Sequence, residues 1–141
     1  MEPRSIRPVV VLVLAISSLA CTSAPPAPSP CRPGEERAVS DSLYFGTSRP
    51  QGGEVTAEEW QRFIVEEVTP RFPQGLTSWQ ASGQWLSAVG TLQRERSYVL
   101  YIVHPDTAVD EKAIQEIVDR YRVEFQQEAV LRVRTPACIS V

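Results

Sequence analysis

The sequence predicts an α+β domain in which four strands and two helices follow one another as β-α-β-β-α-β. Three observations lead there: two stretches with apolar residues at helical spacing, four that alternate or run apolar at strand length, and turn residues at the junctions. The first strand is Ala38 to Gly46, where Val39, Leu43 and Phe45 alternate with Ser40, Ser42 and Tyr44, and Asp41 intrudes on the apolar side. A Gly- and Pro-containing loop, Thr47 to Val55, leads to Thr56-Ala57-Glu58-Glu59, which has the form of a capping box. The helix behind it carries Trp60, Phe63, Ile64 and Val68 on one face, and it stops near Val68 because Pro70 disfavours helical geometry at Thr69. Leu76 to Leu86 and Tyr98 to His104 follow as strands two and three, joined by a hairpin around Gly90. His104-Pro105-Asp106-Thr107 breaks the third strand. A second helix from Asp110 to Gln127 has Ala113, Ile114, Ile117, Val118, Tyr121 and Phe125 on one side and charge on the other, including the i,i+4 pair Glu116 and Arg120. The last strand, Val130 to Ile139, alternates Leu131 and Val133 with Arg132 and Arg134.

This order is that of the ferredoxin-like split βαβ, a four-stranded antiparallel sheet with both helices on one face. A chain of 141 residues has room for one such domain, here 38–141. Cys31 and Cys138 bracket it. In this topology the first and last strands are antiparallel neighbours, so both sulfurs come to one edge. A disulfide is the simplest reading in an oxidising compartment, with two free thiols as the alternative.

The compartment is read from the N-terminus. Arg4 and Arg7 precede an apolar run, Val9 to Ala20. It is shorter than the roughly 20 residues a spanning helix needs and has the length of a secretory h-region. Ser18-Leu19-Ala20-Cys21 resembles a bacterial lipoprotein cleavage site, where the Cys begins the mature chain and is acylated on its sulfur; the usual Leu three residues before the Cys is Ser18 here. Cleavage near Ala20 or Ala24 without lipid, giving a soluble secreted protein, is the alternative. Thr22 to Pro30, with Pro at nearly every second place, reads as an extended tether of about 3 Å per residue. The expected organisation is a signal peptide (1–20), a lipid-anchor Cys21 with its tether (21–37) and the domain. The membrane is then a partner through the lipid alone, with the domain facing the periplasm.

Composition excludes some functions. Hydrophobic residues at 43% and charged residues at 22% are ordinary for a soluble domain. The net charge of −3 becomes more acidic once Arg4 and Arg7 leave with the signal, which argues against a nucleic-acid partner.

Thr69-Pro70-Arg71-Phe72-Pro73-Gln74-Gly75-Leu76-Thr77, followed by Gly83-Gln84-Trp85, resembles the bacterial domain of unknown function 3574 family. Leu43-Tyr44-Phe45-Gly46, Trp60, Arg94-Glu95 and Gln127-Glu128-Ala129-Val130 extend the resemblance over about Ser40 to Val141. It implies a small exported protein or lipoprotein and names no activity.

The double-proline segment reads as a stiff helix-to-strand corner with Phe72 as an aromatic plug. Arg71 either caps helix-end carbonyls or meets a ligand. Gln84 and Trp85 beside Gly83, and Arg132 on the last strand, complete the candidate binding residues. For acid-base chemistry the weak candidates are His104, Arg71 and Glu95, His104 being more simply explained by its place before the second helix. One His and a committed cysteine pair leave no zinc set, no Asp-rich loop offers calcium a cage, and no cofactor is expected. Gly52-Gly53 beside Arg49 lacks the rest of a phosphate-binding fingerprint.

Tyr98 to Val103 has no polar alternate, so strand three is apolar on both faces while two helices cover only one. A second copy, folded-over loops or a ligand cleft would cover the other. The expected function is a non-catalytic protein- or ligand-binding module of the cell envelope. The alternative is a small cofactor-free enzyme of the dimeric α/β-barrel type.

Overall fold

The computed structural model describes residues 31–86 and 90–140. The signal, Cys21 and the Thr22–Pro30 tether lie outside them. Four strands, β1 (Glu36–Gly46), β2 (Thr77–Leu86), β3 (Leu92–His104) and β4 (Leu131–Ile139), form one antiparallel sheet in the order β2-β3-β1-β4. This is the ferredoxin-like arrangement, with α1 (Ala57–Phe63) and α2 (Ala108–Phe125) on one face. All three registers run without slippage, so alternate residues keep to one side throughout.

The helix-side residues Leu43, Phe45, Tyr98, Leu100 and Ile102 pack against both helices in a core dominated by aromatic rings. Trp60 stacks on Tyr98 at 4.7 Å between ring centroids, Tyr121 meets Phe45 edge-on at 4.6 Å, and Phe63 joins Tyr121 and Phe125. Two of the polar tips find acceptors: Trp60 Nε1 donates to Ser78 Oγ at 3.0 Å, and Tyr121 Oη donates to the Gly46 carbonyl at 2.8 Å. Burial then pushes the Tyr121 hydroxyl pKa far above its ordinary value.

The capping box forms as the sequence implies. Thr56 Oγ1 accepts from the Glu59 amide, and the Glu59 carboxylate accepts from the Thr56 amide. Thr56→Ala should therefore cost about 1 kcal/mol in a denaturant titration. A loss under a few tenths would mean that tertiary packing alone fixes this helix end.

The boundaries differ from expectation where local bonding overrides pattern. α1 continues into a π-helical turn, Ile64–Val68, because the Thr69 amide and hydroxyl both donate to the Ile64 carbonyl. β3 starts six residues before Tyr98: the stretch 92–97 has no apolar alternation, yet its backbone pairs fully with β2. α2 begins at Ala108, where Thr107 caps the Asp110 amide, and ends where Gln126 turns left-handed at φ 56°. The expected Glu116–Arg120 pair does not form. Glu116 is held by Arg71 and Lys112, and Arg120 reaches Glu67. Cys31 and Cys138 are bonded, with a Cα separation of 5.6 Å, where β1 and β4 run side by side.

Candidate functional site

Asp41, the polar intruder on the apolar side of β1, lies completely buried at the centre of a charge network. Arg132, on the helix side of β4, grips it with two hydrogen bonds of 2.7 and 2.8 Å. The same guanidinium grips Glu111 of α2 at 2.6 and 2.8 Å. Arg134 then reaches Glu111 and Asp106, carrying the network to the surface. Burial pushes the Asp41 carboxyl up, but hydrogen bonds and charge from Arg132 and His104 outweigh it, holding it below the ordinary carboxylate value. Glu111 is lowered by its hydrogen bond from Arg132, and the Arg132 pKa is raised by Glu111 and Asp41 in turn.

His104 closes the network from β3. Its Nε2 lies 2.8 Å from Asp41 Oδ2, its Nδ1 lies 2.7 Å from the Pro105 carbonyl, and Phe72 packs on its ring at 5.5 Å. Both nitrogens are occupied and the residue is buried, so neither faces a substrate. Periodicity marked Asp41 as an anomaly but could not name its partners, which come from three other elements. Arg132 and Arg134 lie on the helix side of β4, where both bond Glu111, so Arg132 is not offered to a ligand on the open face, and Leu131 and Val133 take the open side.

Arg71 is likewise engaged. It donates to the Glu67 carbonyl at 2.6 Å and to the Glu67 and Glu116 carboxylates, tying the end of the first helical segment to α2. Arg49 pairs with Glu59 at 2.8 Å above the Phe125 ring, while Gly52 and Gly53 close a tight turn at positive φ.

The β2–β3 hairpin gathers other sequence candidates. Gln84, Arg94 and Glu95 line an open cavity of about 540 Å³ with Ser82, Glu54 and Arg96. Arg96 is paired to Glu54 there. Gly46 explains part of this grouping: a Cβ on it would stand 3.0–3.1 Å from the side-chain oxygens of Glu95 and Gln127. Trp85 is half exposed at the outer end of the same hairpin.

The opposite face of the sheet carries Tyr44, Trp79, Tyr101, Leu131 and Val133 in register, all substantially exposed; Trp79 is 47% so. Nothing in the described residues covers them.

The match to the protein family of unknown function DUF3574 spans residues 40–141. The chain belongs to this family. Motif positions of the DUF3574 domain now have structural roles: Phe45 and Trp60 in the core, Gly46 beneath Glu95, and Gln127 donating to the Ser48 and Phe125 carbonyls. No curated protein matches the chain in sequence. Among solved structures, it is similar to a phage SAM lyase in complex with S-methyl-5'-thioadenosine, with TM-score 0.57 and 16% identity over 80% of this chain and 95% of that one. The apo state of that lyase gives TM-score 0.54 and 16% identity over 77% and 91%. At such identity the likeness is one of fold.

Proposed function

We propose that this chain is a cell-envelope interaction module, anchored through Cys21, that binds a protein surface on its open sheet face and performs no chemistry of its own. One observation carries the reading. The middle of the face opposite the helices exposes Tyr44, Trp79, Tyr101, Leu131 and Val133 among small hydroxyl residues with no charge between them, whereas His104, Asp41 and Arg132 are committed to one another inside the fold. A catalytic base needs a nitrogen or carboxylate aimed at a substrate. His104 and Asp41 are aimed at each other. The envelope location rests on Arg4, Arg7, the apolar run that follows and Cys21.

A second reading, a small cofactor-free enzyme, draws on the fold likeness to the SAM lyase and on the hairpin cavity, where Gln84, Arg94 and Glu95 make no side-chain hydrogen bond or ion pair within the described residues. Calorimetry with S-methyl-5'-thioadenosine on wild type and Glu95→Gln separates it: binding lost with Glu95→Gln would favour the enzyme.

The direct test places a photo-crosslinking residue at Tyr101, on the open face, or at Val123, exposed on α2. In the envelope of an expressing bacterium, position 101 should yield discrete adducts and position 123 none. Equal yields at both, or none at either, would contradict the reading.

A further inference from the structure

Resting on the reading of the open face as the binding surface, we infer that the partner is a protein that sets a basic side chain, Lys or Arg, beside Gly46 at the end of β1. Of the charged residues in the four strands, Glu36 and Glu95 take the open side, whereas Arg37, Arg94, Arg96, Arg132 and Arg134 stand on the helix side. The open face is therefore acidic at both ends and apolar between them. Neither carboxylate makes a hydrogen bond or ion pair among the described residues.

Glu95 stands in the more specific setting. A Cβ on Gly46 would lie 3.0 and 3.1 Å from its two carboxylate oxygens and 3.1 Å from Gln127 Oε1. The Gln127 amide is held in that orientation, because its Nε2 donates to the Ser48 and Phe125 carbonyls. Three acceptor oxygens thus gather beside Gly46, and no donor reaches any of them from the described residues. Charge and dipole of one sign are unfavourable together until a donor bridges them, and a cation with several N–H groups does this best. An anion would meet only repulsion there. Three of the stretches that carry the family resemblance, Leu43 to Gly46, Arg94-Glu95 and Gln127 to Val130, supply this corner.

The surroundings fit a long side chain. Ala81, Ser97 and Gly46 pair across β2, β3 and β1, so this row of the face is small and leaves room for an ammonium or guanidinium. The next row is Trp79, Val99, Tyr44 and Leu131. The exposed rings of Trp79 and Tyr44 suit the apolar stem of a Lys or Arg and attract its charge. A second copy of this chain has no basic strand residue on its own open face, so charge selects a different protein.

The test places a photo-crosslinking residue at Leu131, exposed in the row beside this corner, in the envelope of an expressing bacterium. Glu95→Gln should lower the adduct yield several-fold and Glu95→Lys should abolish it. Glu58→Gln, exposed on α1, should leave it unchanged. Mass spectrometry should find a Lys or Arg in the crosslinked segment of the partner. Since Glu95 accepts no bond within the described residues, Glu95→Gln should not lower the melting temperature of the purified chain. A fall of several degrees would make the carboxylate structural and overturn the inference. Undiminished yield in Glu95→Lys, a partner segment without a basic residue, or an adduct joining two copies through this face overturns it and leaves the binding surface standing. No adduct at either 131 or 101 removes both.

Discussion

Exchanging Asp41 for Ala is expected to lower stability by about 3–5 kcal/mol, the cost of leaving a partly buried guanidinium without its counter-charge. Asp41 is fully buried, and Arg132 holds it with two bonds while also holding Glu111. Removing the carboxylate deletes the side-chain link between β1 and β4 and strips His104 of one of its two partners. Asp41→Asn keeps the shape and isolates the charge. Because the folded-state pKa of Asp41 lies below its unfolded value, its contribution is present above pH ~4 and is lost as pH falls through the folded value. Wild-type stability should therefore fall steeply on acidification, with a gentler slope in Asp41→Asn. Denaturant titrations from pH 7 to pH 2 check both statements. An Asp41→Ala loss below about 1 kcal/mol, or parallel acid slopes, would mean that the network carries little of the fold.

The second large effect belongs to the disulfide. Cys31 and Cys138 close a loop of 107 residues, for which the chain-entropy relation gives about 4–5 kcal/mol. Cys31→Ser with Cys138→Ser should lower the melting temperature by more than 10 °C in a domain of this size. Reductant should reproduce the loss in wild type and do nothing to the double variant. Equal melting of both proteins without reductant would show the cross-link to be dispensable.

These two linkages differ in how readable they were from the sequence. The cysteine pair followed from topology, because β-α-β-β-α-β order forces the first and last strands together whatever their side chains are. The element order was legible for a similar reason: apolar spacing in α2 and the long apolar run of β3 report burial directly. Of the Asp41 network only Asp41 itself was legible, as a polar intruder on an apolar face, since its partners stand in β3, β4 and α2 and nothing in their local pattern points to β1. Alternation alone would bury the apolar residues of β4. Leu131 and Val133 face the open side while Arg132 and Arg134 turn inward, because a buried carboxylate and Glu111 wait for them there. Of the candidates, Arg71 stands with a helix-end carbonyl and two carboxylates, whereas Gln84 and Glu95 share the hairpin cavity. Trp85 remains half exposed beside them.

We propose that the network-stapled sheet presents its open face to a partner. Hydroxyl-radical footprinting with and without envelope extract tests it most directly. Oxidation of Tyr44, Trp79 and Tyr101 should fall several-fold when envelope extract is added, while Val109 and Val123 on α2 stay constant as internal references. Oxidation of the sheet-face rings that is unchanged by envelope extract would contradict the account.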